Sequence, residues 1–227
     1  MNLRWRIAQF FEVRWWQRYL RRRDKNSYLD WKRRYWFDFL KKSGIEIPPG
    51  ATVLDAGCGP AGIFTVLEQQ TVDALDPLLD RYEKHLPHFH RRDYPNVRFF
   101  NQALETFGPI NESAGATVNR SGTRCYDFVF CLNALNHVAD LPRCLGQLVA
   151  LTKPGGTLVV SIDAHNHRWL KHIFRIVPGD ILHPHQYGLE EYQTMLTTSG
   201  ILLEKTFLTK KGQIFNYYLL KGKKPSG

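Results

Sequence analysis

The stretch that most limits the fold is Val53-Leu54-Asp55-Ala56-Gly57-Cys58-Gly59-Pro60-Ala61-Gly62. An apolar run gives way there to Gly57, Gly59 and Gly62, spaced as G-x-G-x-x-G. Glycines without Cβ atoms let a strand turn sharply into a helix and let backbone come close to a ligand. The expectation is therefore an α/β fold with a ligand crevice at the carboxyl end of this strand. Asp76 follows at about the twenty-residue distance where a carboxylate meets ribose hydroxyls.

The rest of the chain alternates as such a sheet requires. Apolar strand candidates fall at residues 52–56, 71–75, 97–101, 126–131 and 157–162, with helical segments between most of them. That order predicts a Rossmann-like, doubly wound, mostly parallel sheet covered on both faces. Residues 201–208 and 213–220 read as two further strands joined at Lys210-Lys211-Gly212, an antiparallel hairpin at the sheet's edge. Residues 111–124, rich in Gly, Ser, Thr and Asn, read as a surface loop.

Residues 1–45 read as a basic, aromatic helical segment preceding an α/β domain of residues 46–227. Leu3, Ile7, Phe11, Trp15 and Tyr19 recur at helical spacing as one stripe. Ser27 suits the cap of a second helix, with Asp30 in its first turn and Tyr28, Trp31, Tyr35 and Phe39 along one face. Gly44 suits the left-handed residue that closes it.

The sign of one charge separates two ligand classes. In a dinucleotide site the glycine turn faces a pyrophosphate, which a carboxylate at Asp55 would repel. S-adenosylmethionine presents an ammonium and a sulfonium instead, which the same carboxylate attracts. An NAD-dependent oxidoreductase, with Asp76 on the ribose, is the enzymatic alternative.

Five segments, in order, resemble the class I S-adenosylmethionine-dependent methyltransferases over roughly residues 50–220. Residues 53–59 are similar to that family's glycine-rich motif, which implies Asp55, Gly57, Cys58 and Gly59 in the cofactor site, Cys58 through its backbone. Ala74-Leu75-Asp76-Pro77 resembles the end of the second strand, whose acid takes both ribose hydroxyls. Gln102-Ala103 stands where the family has an Asp-Ala pair at the adenine, and the amide oxygen of Gln102 replaces the acid as acceptor. Tyr126 to Asn133 resembles the fourth strand, which implies Leu132 and Asn133 beneath the methionine part. Lys153-Pro154-Gly155-Gly156 resembles the turn before the fifth strand. An Asn-Pro-Pro-Tyr or Asp-Pro-Pro-Tyr motif, typical of enzymes acting on nucleobase amines, does not follow the fourth strand. Leu132-Asn133-Ala134-Leu135-Asn136-His137 stands there and resembles the branch that includes quinone-pathway and other small-molecule methyltransferases. The implied acceptor is a small or lipid-like molecule.

Methyl transfer from a sulfonium is an in-line displacement, helped by alignment and, for a hydroxyl acceptor, by a base. Histidine titrates near neutrality. His137, one step past the cofactor strand, is the first candidate, and His183 and His185, on a segment resembling the family's acceptor loop, are the second. The pairs His165/His167 and His183/His185 have no evident third ligand, so no metal is expected.

Charge is concentrated at the start. The whole chain carries +10, and residues 1–42 hold thirteen Lys/Arg against four Asp/Glu. Three readings suit that segment: helices packed over the cofactor cleft with solvated arginines, an interfacial helix on an anionic membrane surface, or nucleic-acid contact. The near-neutral body and the missing nucleobase motif weigh against a nucleic-acid methyltransferase. Four cysteines without CxxC spacing, and an opening segment too basic for a secretory signal, suit a cytoplasmic protein, peripheral to the inner face of a membrane in the second reading.

Overall fold

The computed structural model describes residues 3–107, 117–118, 124–165, 187–212 and 215–226, with side chains from residue 9 onward except at 117, 118 and 165. Its sheet holds β1 (Thr52–Ala56), β2 (Thr71–Leu75), β3 (Val97–Phe100), β5 (Arg124–Cys131), β6 (Thr152–His165), β7 (Leu202–Lys210) and β8 (Phe215–Lys223). The spatial order is β3-β2-β1-β5-β6-β8-β7, and the two-residue β4 (Thr117–Val118) pairs with β5. Strands β3, β2, β1, β5 and β6 run parallel, with Val53 opposite both Val72 and Phe128 and Phe130 opposite Val159. Strand β8 is antiparallel to β6 and to β7, so the expected hairpin lies at the edge with β7 outermost.

Period-two alternation assigns the two faces. Val53, Val72, Phe130, Val159 and Leu219 pack in one buried cluster with Val13, Leu20, Tyr28 and Trp36 from α1 (Leu3–Leu20) and α2 (Lys25–Ser43). Leu54, Ala56, Val129, Val160 and Leu220 pack on the other face against α4 (Leu141–Leu151) and α5 (Leu189–Thr198). The short α3 (Leu79–His85) adds Leu79 and Tyr82 to the first cluster.

Several local expectations change. The glycine turn enters only a four-residue 3-10 helix, Ile63–Val66, because few residues separate it from β2. Helix α2 begins two residues before Ser27 and is capped by Asp24, whose Oδ1 accepts the Ser27 amide at 2.9 Å and the Ser27 hydroxyl at 2.9 Å. Asp30 therefore lies beyond the first turn. Gly44 does close α2 in the left-handed region, at φ 61°. Strand β6 starts at Thr152 because the Lys153–Gly156 turn is absorbed as an irregularity in its pairing with β5. In α1 the stripe is rotated from its expected position: Phe11 is 51% and Trp15 55% exposed, whereas Val13 and Leu20 are buried. Aromatic residues fill nearly every side of that helix, so their spacing alone does not phase it. In α2 the buried side carries Tyr28 and Trp36, leaving Trp31 and Tyr35 half exposed. Most of residues 111–124 lie outside the described residues.

Candidate active site

Strand order reverses between β1 and β5: from β1 the chain proceeds to β2 and β3 on one side, then crosses to β5 and β6 on the other. The crevice outside the carboxyl ends of such a pair is where ligands bind in open α/β sheets. A cleft opens there, and all ten sequence-derived cofactor candidates line it: Asp55, Gly57, Cys58, Gly59, Asp76, Pro77, Gln102, Ala103, Leu132 and Asn133. His137 lines it too, from the 3-10 turn Leu135–His137. His183 and His185 lie outside the described residues.

The glycine turn is shaped by what surrounds it. Gly57 has φ 71°, and its amide and that of Cys58 donate to the Leu75 carbonyl at 2.7 and 3.1 Å, tying the turn to the end of β2. A Cβ on Gly57 would fall well inside contact distance of the Ala134 Cβ. At Gly62 a Cβ would collide with Asp55 Oδ2.

Asp55 is buried on the α2 face, and its Oδ2 accepts the Phe64 amide at 3.1 Å, at the start of the 3-10 helix. The residue thus caps a helix start and lines the cleft at once. Burial pushes its carboxyl up to about 7, against the opposing pull of the Phe64 and Ile63 amides and of Lys32. Asp76 accepts the Gly59 amide on Oδ2 at 3.0 Å and the Leu78 amide on Oδ1 at 2.8 Å. Burial, and then the nearby Glu12 carboxylate, raise it to about 7. Gln102 donates through Nε2 to the Thr106 carbonyl at 2.8 Å, which leaves its amide oxygen as an acceptor.

The N-terminal helices complete the cleft. Gln9, Glu12 and Trp16 of α1 and Lys32 and Trp36 of α2 line it together with the glycine turn. Glu12 accepts from the Tyr82 hydroxyl at 2.7 Å, and the Trp36 indole donates to the Ala61 carbonyl at 3.0 Å, so both helices are fastened to the domain at the site itself. Lys32 is the sole Lys or Arg among the described residues that line the cleft, whose walls also carry Glu12, Asp55, Asp76 and Glu105, and it interacts with the Asp55 carboxylate. Its ammonium sits 5.1 Å from the ring centres of Tyr35 and Trp36 and 5.7 Å from that of Trp31. Burial pulls it down to about 8. Gln9 Nε2 is buried without a hydrogen-bond partner. None of these five residues belonged to the sequence-derived set. Only the 28/32/36 spacing in α2 marks Lys32, as a lysine on a face otherwise destined for burial.

The model of a family described as "Methyltransferase domain" matches residues 27–201. The chain belongs to this methyltransferase family. The match begins inside α2, so the family's pattern includes the helix that carries Lys32. Among curated relatives, the chain is 31% identical over 120 residues to a trans-aconitate 2-methyltransferase of Deinococcus radiodurans, covering 52% of this chain and 41% of that one. It is 26% identical over 176 residues to a ubiquinone biosynthesis O-methyltransferase of Rickettsia canadensis, covering 72% and 66%. It thus spans between two fifths and two thirds of those relatives' lengths. The N-methyltransferase NodS of Bradyrhizobium japonicum, solved with S-adenosylhomocysteine, superposes with a TM-score of 0.55 at 14% identity, covering 85% of each chain. Family and fold are thus those of methyltransferases. Among the described residues no group of three His, Cys, Asp or Glu is arranged to hold a metal ion.

Proposed function

We propose that this methyltransferase transfers a methyl group from S-adenosylmethionine to a small-molecule acceptor. The observation that carries the reading is the charge layout of the cleft, with one cation beside Asp55 and a second carboxylate at Asp76. That layout fits the donor group by group. Asp55 and Lys32 suit the ammonium and carboxylate of the amino-acid end, Asp76 suits the ribose diol, and Gln102 suits the adenine amino group. The unpartnered Gln9 Nε2 gives the donor's oxygens or ring nitrogens one more hydrogen bond. A pyrophosphate fits badly: Asp55 already takes the Phe64 amide, and four carboxylates line the walls.

When bound, the sulfonium supplies the methyl: the acceptor's lone pair bonds to carbon as the C–S bond breaks, and that electron pair stays on sulfur. The chain's own task is to align the partners and exclude water, for which Trp16 and Trp36 roof the cleft. We assign the acceptor's proton to His137, which lines the cleft and is exposed. Calorimetry tests the reading: S-adenosylhomocysteine should bind and NAD should not. A His137→Asn variant should hold S-adenosylhomocysteine as firmly as the parent and turn over at least about a hundredfold more slowly, the lower end of what a general base contributes. Binding of NAD, or of neither ligand, would sink the assignment.

We further infer that α1 rests on an anionic bilayer. Phe10, Phe11 and Trp15 are 43, 51 and 55% exposed on a helix that also presents Arg14 and Arg18 outward. Aromatic side chains beside arginines suit the interface of an acidic membrane. No described helix is long and apolar enough to cross one. Vesicles containing phosphatidylserine should pull down the parent chain and lose at least most of a Phe11→Ser/Trp15→Ser variant, while neutral vesicles pull down neither. Point substitution is the right test because truncating α1 would also remove a wall of the cleft.

A further inference from the structure

A second cavity, about 390 Å³ in volume, opens between α2 and the sheet at strands β6, β7 and β8. Trp36, Leu132 and Asn133 line both this chamber and the cofactor cleft, so the two spaces share a wall. We propose that the chamber binds the methyl acceptor, and that the acceptor is a flat ring compound of low charge whose polar substituent lies at that shared wall. The proposal rests on the methyltransferase reading above.

Position is the first argument. An acceptor must lie against the donor's sulfonium side, and Leu132 and Asn133 are the residues at the end of β5 that bound both spaces. The volume falls within the ~300–1,000 Å³ usual for small-molecule sites.

The walls select the class. Tyr35 meets Trp36 edge-on at 4.9 Å, Trp36 meets Phe39 edge-on at 5.6 Å, and Phe207 of β7 lines the sheet side. Tyr35 remains 42% exposed despite belonging to this aromatic run. Rings so arranged offer faces and edges to another ring. Asp38 and Lys42 are the charged members of the lining among the described residues, and their charges cancel. An acyclic polycarboxylate such as trans-aconitate would need several cations to offset its desolvation, and those walls do not supply them.

The shared wall is built to hold an orientation. Asn133 sits in the left-handed region at φ 55°, the one non-glycine residue at positive φ among the described residues. Its amide N–H donates to Ser161 Oγ at 2.6 Å, and that hydroxyl lies 3.2 Å from Asn133 Oδ1. Ser161 thus accepts from the Asn133 backbone and donates to its carboxamide oxygen, which orients the side chain and makes Nδ2 the wall's donor to an acceptor oxygen or nitrogen.

The test uses the whole chain saturated with S-adenosylhomocysteine and 2-naphthol as the ring probe, read by calorimetry, with trans-aconitate as the acyclic probe. 2-Naphthol should bind with a dissociation constant below on the order of 1 mM. Tyr35→Ala and Phe207→Ala should each weaken it about three- to tenfold, as the loss of one aromatic contact does. Phe207 is partly exposed, lines only the chamber and lies away from Lys32, so S-adenosylhomocysteine affinity should stay within about twofold in Phe207→Ala, which also reports that this variant folds; Tyr35 also flanks Lys32, so Tyr35→Ala is read only by its 2-naphthol affinity at saturating S-adenosylhomocysteine. Equal 2-naphthol affinity in parent and variants, no 2-naphthol binding, or tighter binding of trans-aconitate overturns the chamber's assignment while donor binding stands. Failure of the parent to bind S-adenosylhomocysteine strikes the methyltransferase reading itself, and the two failures are read from separate titrations.

Discussion

Lys32→Met is expected to weaken S-adenosylhomocysteine about 10- to 100-fold while leaving 5′-methylthioadenosine within about threefold. The first figure is what a charge-assisted hydrogen bond of ~1.5–3 kcal/mol amounts to. The second follows because 5′-methylthioadenosine keeps the adenine, the ribose and the sulfur but lacks the amino-acid end. Lys32 is the single Lys or Arg among the described residues lining a cleft that also contains Glu12, Asp55, Asp76 and Glu105. A ligand carboxylate entering such a field needs a cation, and Lys32 is held ready by the rings of Tyr35 and Trp36 rather than by an ion pair that would first have to break. Methionine keeps the apolar stem and removes the charge. Paired titrations of the two ligands decide the matter, since a merely structural lysine would cost both equally.

The pH dependence of the same titration follows from three groups, and its two limbs have opposite causes. In the ligand-free chain the carboxyls of Asp55 and Asp76 stand at about 7 and the Lys32 ammonium at about 8. The donor's ammonium and ribose hydroxyls favour the ionised carboxylates, and its carboxylate favours the protonated lysine. Below about 7 binding must expel protons, so affinity falls as pH falls. Above about 8 it must take one up, so affinity falls as pH rises. Affinity for S-adenosylhomocysteine is therefore greatest between the two values. Lys32→Met should lose the alkaline limb and keep the acid one.

How far the site was legible in the sequence depends on whether a residue speaks through its neighbours in the chain or across the fold. The glycine turn, Asp76 and Gln102 each lie at the end of a strand, and strand ends in a parallel sheet converge on one edge, so their meeting in one cleft follows from the order of elements. The helical part of the wall does not. Gln9, Glu12, Trp16 and Lys32 reach the cleft because α1 and α2 fold back over it, and a segment with aromatic and basic residues on every side carries no phase to say which of them turn inward. Asp55 was legible as a charge, and a carboxylate at a helix terminus was its alternative reading; that it does both depends on the short 3-10 helix, where the glycine pattern suggests a longer one. Chain spacing was equally silent on Ser161, whose hydroxyl reaches Asn133 from the neighbouring strand.

Gly57→Ala should abolish measurable binding of S-adenosylhomocysteine, and Ala134→Gly in the same chain should restore much of it. Two separate penalties act at Gly57. Its φ of 71° costs an L-residue about 1–2 kcal/mol wherever it occurs. The larger cost is local: the new methyl would overlap the Ala134 Cβ, and neither neighbour is free to yield. On one side the turn is tied to β2 through the Gly57 and Cys58 amides on the Leu75 carbonyl. On the other, Ala134 lies between the pinned Asn133 and the turn that carries His137, whose amide donates back to the Ala134 carbonyl at 2.9 Å. The clash therefore pushes apart the ends of β1 and β5, the two elements between which the donor would lie. Ala134→Gly removes the atom that the new methyl meets and leaves only the backbone term, so the double variant should recover to within about 5- to 30-fold of the parent, the affinity equivalent of that ~1–2 kcal/mol. Titration of all four members of the cycle measures the coupling. Independent, additive losses at the two positions would mean that Gly57 is needed for its conformation alone and that the approach of β5 to the glycine turn does not define the donor site.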